Sequence, residues 1–266
     1  MIYNEDCMVT MREKMCDGVI DLTLTSPPYG KMRLFEDNFG FSIDDLAREL
    51  YRVTKPGGTV VWQCDDVVSK YGESLVSFQH ALVFKKVGFK VNTMIYVRNN
   101  PPPTGNMQLY RRATNYTFVM FKGKPKTINL IKDLPVVGKY KSDTTRKRHP
   151  DGTWKPTESI HLGANKVRTN VWGYDVGGGL STQDMEAYSH PATFPEAFAR
   201  DHILSWSNPG DTVYDPFMGS GTTAKMAVTS QRKYVGSEIN REYYELSMAR
   251  LKKYSNPIDA YIETPC

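Results

Sequence analysis

Asp215-Pro216-Phe217-Met218-Gly219-Ser220-Gly221-Thr222-Thr223 places a glycine-rich turn between an apolar strand, Thr212-Val213-Tyr214-Asp215, and the start of a helix. Such a turn lets a ligand approach the backbone closely and offers it the unpaired amides of a helix start. The next strand, Lys233-Tyr234-Val235-Gly236-Ser237-Glu238, ends in a carboxylate that can accept hydrogen bonds from both hydroxyls of a ribose. The third glycine of the dinucleotide fingerprint is missing, because Ala224 and Lys225 follow Thr223. That counts against a nicotinamide cofactor and favours a nucleoside without a pyrophosphate, of which S-adenosylmethionine is the commonest on this architecture.

Outward from this turn, strands and helices alternate. Val19 to Leu24 is a short apolar strand, broken by Asp21, that stops in Thr25-Ser26-Pro27-Pro28-Tyr29-Gly30. Ile43, Leu46, Leu50 and Val53 recur at three and four residues, a helical stripe that Lys55-Pro56-Gly57-Gly58 terminates. Strands are expected at 59–62, 90–97 and 116–121, and helices at 74–87, after Pro195 as far as Trp206, and at 242–254. The pattern predicts a mainly parallel sheet with helices on both faces.

From Lys122 to Trp172 the periodicity lapses, and twelve basic residues face only four acidic ones. We read this stretch as an insert lying against phosphates, dividing the chain into 1–121, 122–172 and 173–266. Its candidate DNA contacts are Lys141, Arg146, Lys147, Arg148, Lys155, Lys166 and Arg168, with Arg111 and Arg112 just upstream. A solvated loop is the alternative.

With 266 residues the chain can bury one sizeable core and still carry such an insert, and a formal charge of +5 permits a polyanionic partner. No apolar run approaches the roughly 18 residues needed to cross a bilayer. The start of the chain lacks the features of a signal peptide, so a cytoplasmic protein is expected. Cys7, Cys16, Cys64 and Cys266 show no C-x-x-C pairing, so reduced thiols are expected and no metal site.

The Pro-Pro loop suggests a chemistry. An exocyclic amine of cytosine or adenine is a poor nucleophile because its lone pair is delocalised into the ring. Two acceptors aimed at its N–H bonds favour the pyramidal form that can attack a methyl group. Ser26 Oγ and the Pro27 carbonyl can be those acceptors, Pro28 stiffens the loop, and Tyr29 can stack on an extruded base. A structural turn with a packed tyrosine is the bland reading.

Taken with the glycine-rich turn, these residues resemble the β-group of DNA amino-methyltransferases, in which the catalytic motif precedes the cofactor motif. The resemblance extends to Lys55-Pro56-Gly57-Gly58, Tyr110-Arg111-Arg112-Ala113, Lys122-Gly123, His190-Pro191-Ala192, Phe194-Pro195, and Glu238 with Asn240 and Tyr243, in the order of the group. The chain departs from the group at Glu5, where Gly is usual, and at Thr114-Asn115, where His-Glu is frequent.

The resemblance implies a doubly wound methyltransferase sheet of seven strands, the last antiparallel, circularly permuted, with a target-recognition insert. It further implies S-adenosyl-L-methionine held by Asp6, Thr25, His190, Pro191, Phe194, Pro195, Asp215, Pro216, Phe217, Gly219, Ser220, Gly221, Thr222 and Glu238, and double-stranded DNA as partner. Asp6 is expected beside the adenine, His190 to Pro195 around the methionine end, and Thr25 under the methyl group. Ser-Pro-Pro-Tyr occurs mostly in N4-cytosine enzymes of the group, so N4 of cytosine is expected ahead of N6 of adenine. RNA or protein amides as substrates, a silent DNA-binding module, a cognate restriction endonuclease and the oligomeric state stay open.

Overall fold

The computed structural model describes residues 1–28, 42–68, 71–101, 110–136, 146–156 and 164–254. Met1–Asn129 and Asn170–Cys266 together form one compact unit, and Leu130–Thr169 form a second.

The first unit is an eight-stranded sheet. Its strands are β1 (Ile2–Tyr3), β2 (Ile20–Thr25), β3 (Thr54–Cys64), β4 (Lys90–Arg98), β5 (Thr114–Phe121), β10 (Val171–Tyr174), β11 (Thr212–Asp215) and β12 (Lys233–Ser237), in the spatial order β1-β12-β11-β2-β3-β5-β4-β10. Every pairing is parallel except those of β5, which runs against both β3 and β4. The doubly wound class expected from sequence is present, with an eighth strand: β10 adds to the β4 edge, pairing Val171 with Ile95 and Tyr174 with Arg98. The insert boundary expected at Trp172 therefore falls inside a strand of the main sheet.

Helices α1 (Cys7–Lys14), α2 (Ile43–Val53), α3 (Val76–Val87), α4 (Glu196–Trp206), α5 (Thr222–Thr229) and α6 (Arg241–Leu251) accompany the strands. Ser42 opens α2 as a capping box with Asp45, which satisfies amides that the helix itself leaves unpaired. Leu46, Leu50 and Val53 of its expected stripe are fully buried, packing with Trp62, Phe84, Phe118 and Met120 in the main core. Helix α3 starts two residues later than its pattern suggests, because Asp66 accepts from the amide and hydroxyl of Ser77 and Leu75 adopts a left-handed conformation. Helix α1 carried no periodic signal. It forms where Asp6 caps it, accepting from Met8 N at 2.7 Å, and it buries Cys7, Met8, Thr10 and Met11. Cys7 and Cys64 are free and buried as expected, whereas Cys16 is disulfide-bonded, which no local spacing announces.

In the second unit β6 (Lys132–Pro135) pairs antiparallel with β9 (Asn165–Val167), and β7 (Arg146–Arg148) with β8 (Trp154–Pro156). No described helix is long and apolar enough to cross a membrane.

Candidate active site

Strands β11, β12 and β2 end at one rim of the sheet, and the candidate residues extend from those ends. Asp215, the last residue of β11, is almost wholly buried, yet three donors converge on it. Its Oδ1 accepts from Thr25 Oγ1 at 2.6 Å and Phe217 N at 3.0 Å, and its Oδ2 from Thr223 Oγ1 at 2.7 Å. Burial pushes its pKa up to about 6 against the pull of these hydrogen bonds. The carboxylate thus clasps both ends of the glycine-rich turn and joins them to the last residue of β2, immediately before Ser26-Pro27-Pro28.

Glu238 follows β12. Its Oε2 accepts from Gly219 N and its Oε1 from Asn240 N, each at 2.8 Å, and burial raises its pKa despite both bonds. Each carboxylate oxygen has two acceptor positions, so one per oxygen remains for a hydroxyl. Gly219 has φ +51, and a Cβ there would lie 2.9 Å from His190 Nε2, so the imidazole rests directly on the turn. His190 packs edge-on against Tyr243 with ring centroids 4.4 Å apart, and burial lowers its pKa, which keeps it neutral.

A pocket opens beside these groups, lined by Glu5, Asp6, Cys7, Pro216, Phe217, Ser237, Glu238 and Ile239. Carboxylates and apolar side chains alternate around it, the lining that a nucleoside needs: acceptors for hydroxyls and amines, apolar surface for a ring.

The sequence pattern of the DNA methylase family matches residues 20–249. The chain belongs to this family. The orphan methyltransferase M.BamHII of Bacillus amyloliquefaciens is 45% identical over 254 residues, covering 92% of this chain and 93% of that protein. The DNA adenine methyltransferase YhdJ of Escherichia coli strain K12 is 46% identical over 87 residues, 32% of this chain and 28% of that protein. The structure of the PvuII DNA methyltransferase, described as cytosine-N4-specific, superposes with a TM-score of 0.67 at 20% identity, covering 94% of this chain and 85% of that one. The protein is an S-adenosyl-L-methionine-dependent DNA methyltransferase.

This DNA methylase brings the sequence candidates Asp6, Pro216, Phe217 and Glu238 together on the pocket wall, with Gly219, His190, Asp215 and Thr25 alongside. Pro27 is buried, and Ser26 and Pro28 are half-buried. Tyr29 and Lys141 lie outside the described residues, as do the side chains of Arg146, Lys147 and Lys155. Ser220 and Thr222 turn toward Arg250, whose Nη1 donates to the Ser220 carbonyl at 2.9 Å and to Thr222 Oγ1 at 3.1 Å. Two expected DNA contacts are engaged within the protein. Arg112 is paired with Asp65 and donates to Asp66 O at 2.8 Å, and Arg168 grips Asp133 through Nε at 2.7 and 2.8 Å. Arg111, Arg148 and Lys166 are exposed.

Sequence reasoning missed a buried ionic cluster. Lys225 Nζ lies 2.9 Å from Asp184 and 2.6 Å from Glu196, and Arg250 Nε lies 2.7 Å from Asp184. Burial alone would raise the pKa of Asp184, but hydrogen bonds from Tyr254, Arg250 and Lys225 hold it well below the usual carboxylate range. The cluster ties the glycine-rich turn to the segment that carries His190, Phe194 and Pro195. The one sequence signal was a lysine inside the otherwise small and apolar Ala224-Lys225-Met226-Ala227.

Proposed function

We propose that this enzyme methylates N4 of a flipped cytosine in double-stranded DNA, in the bacterial cytoplasm where that DNA lies, with Ser26-Pro27-Pro28-Tyr29 as its catalytic loop. The observation that carries the reading is the 2.6 Å hydrogen bond from Thr25 to Asp215. It fastens the strand that delivers the Pro-Pro loop to the strand that opens the cofactor turn, so the two constellations serve one reaction.

S-adenosyl-L-methionine supplies an electrophilic methyl group on sulfur. Around it, Glu238 accepts from the ribose, Asp6 faces the adenine side of the pocket, and Phe217 and Ile239 bound the ring. His190 and Phe194-Pro195 frame the methionine end. Ser26 Oγ and Pro27 O accept hydrogen bonds from the two amine N–H groups of the target base and so free its lone pair for the methyl carbon, the amine losing one proton to solvent as the carbon–sulfur bond breaks. Tyr29 stacks on the extruded ring, because neither amino nitrogen is accessible while the base is paired and stacked. Basic residues of the second unit neutralise phosphates.

The choice of N4 over N6 rests on Ser26 in the first place of the tetrad, since Ser-Pro-Pro-Tyr occurs mostly in the N4-cytosine enzymes of the group that the motifs resemble. Nucleoside mass spectrometry of DNA methylated by the purified enzyme tests it. N4-methylcytosine is the expected product; N6-methyladenine alone would overturn the base assignment and leave the roles of Ser26 and Pro27 standing.

A further inference from the structure

Five buried side-chain atoms among the described residues make no hydrogen bond: Thr23 Oγ1, Arg98 Nε, Arg112 Nη1, Asn115 Oδ1 and Thr117 Oγ1. Arg98 Nε, Asn115 Oδ1 and Thr117 Oγ1 gather at one end of β4 and β5, the end at which β2 delivers Ser26, beside Arg112 Nη1, which faces Glu73 at 3.6 Å. The register places them. Thr25 pairs with Trp62, so Ser26 and Gln63 come next on β2 and β3, and Gln63 pairs with Thr117 on β5. Residues at one level of neighbouring strands share a face, and strands ~4.8 Å apart put the Thr117 backbone roughly 10 Å from that of Ser26, with Gln63 between them at the same level. Asn115 lies two residues further along the same face, paired with Tyr96. Asn115 is 6% exposed and Thr117 1%.

A polar atom buried without a partner is disfavoured, and an apolar side chain of the same shape is often neutral or stabilising in its place. Unpaired groups concentrated beside a reactive loop therefore indicate a ligand that completes them. We propose that Asn115 and Thr117 wall the pocket for the flipped base and determine its identity. This rests on the reading of Ser26-Pro27-Pro28-Tyr29 as the catalytic loop. With the amine of cytosine held by Ser26 and Pro27, the rest of its edge offers two adjacent acceptors, N3 and O2. The Thr117 hydroxyl donates to one. The Asn115 amide, whose oxygen and nitrogen exchange places by a flip, donates to the other. Adenine presents one acceptor and a C–H along the corresponding edge, so it leaves one donor unmatched.

Thr117→Val and Asn115→Leu test this, after the methylated site has been mapped with the wild-type enzyme. Both variants should match or exceed the wild-type melting temperature and bind S-adenosyl-L-methionine unchanged. Their kcat/KM on the mapped duplex should fall ten-fold or more, and their preference for cytosine over adenine at the target position should narrow. Affinity for a duplex with an abasic nucleotide at that position should be unchanged, since no base edge is there to read. Wild-type turnover and preference in both variants would overturn the proposal, as would an equal loss of affinity for intact and abasic duplexes. The function proposed above fails separately, on the identity of the wild-type product.

Discussion

Glu238 holds the amides of Gly219 and Asn240 while lining the pocket beside the glycine-rich turn, so it shapes the turn and keeps one acceptor position free on each oxygen. Calorimetry on Glu238→Ala should show S-adenosyl-L-methionine binding weakened by about 1–3 kcal/mol, the range for hydrogen bonds to a charged group. Ser26→Ala should leave that affinity intact and lower kcat by about 10²–10³-fold, as loss of one positioned polar contact to a transition state does. A single-turnover assay beside the calorimetry separates the two effects. Asp215 and Glu238 were legible in the sequence because both stand at the ends of short apolar strands next to glycines, where backbone geometry leaves few alternatives. Arg250 and Asp184 were not, since their partners lie up to 70 residues away in the chain and each alone resembles a surface charge.

Helix α4 keeps His202 inside the protein, stacked on Trp172 at 4.8 Å and accepting from Trp206 Nε1 at 3.2 Å. Burial pushes its pKa down to about 3, against an ordinary value of 6.5. The unfolded chain therefore binds a proton below pH 6.5 that the folded chain refuses, so stability is full above pH 6.5 and is lost as pH falls toward 3. His80, pushed down to about 4, adds in the same direction. Urea midpoints measured from pH 7 to pH 5 should decline, each histidine contributing at most about 1.4 kcal/mol per pH unit, and His202→Gln should flatten the decline.

The β7–β8 ribbon is an element of a different kind. Arg148 pairs across it with Trp154, which is 61% exposed. The turn between them is fixed by Asp151, which accepts from the amide and hydroxyl of Thr153. Arg148→Ala should weaken binding to all DNA sequences alike and reduce the slope of log affinity against log salt by about 1. An unchanged slope would remove this ribbon from the phosphate contacts. Its strands of three residues carry too little periodicity to be read from sequence, and β10 was hidden by the same brevity.

At the scale of the molecule, Lys225 and Arg250 are neutralised by Asp184 and Glu196 in a buried cluster. Arg250→Met leaves Lys225 as the one cation between two buried carboxylates and should destabilise the fold by about 3–5 kcal/mol in chemical denaturation. The second unit leaves and re-enters the chain at adjacent points, because Arg168 N donates to Ile131 O at 3.0 Å. Replacing 130–169 by a short Gly/Ser linker should therefore preserve S-adenosyl-L-methionine binding and abolish affinity for DNA. Loss of cofactor binding in a folded variant would show that the unit supports the first one as well.

The order β1-β12-β11-β2 has a consequence for how the chain is made. Strands β1 and β2 are neighbours in sequence, yet two strands from the far end of the chain stand between them. Ile2 waits for Gly236, and Leu22 for Val213. During synthesis the ribosome exposes the apolar β2 edge long before its partners emerge, and pairing across so long a separation is slow. The nascent N-terminal half thus depends on late-arriving strands or on a chaperone to hide that edge, and a truncated translation product is an aggregation hazard rather than a partly working enzyme.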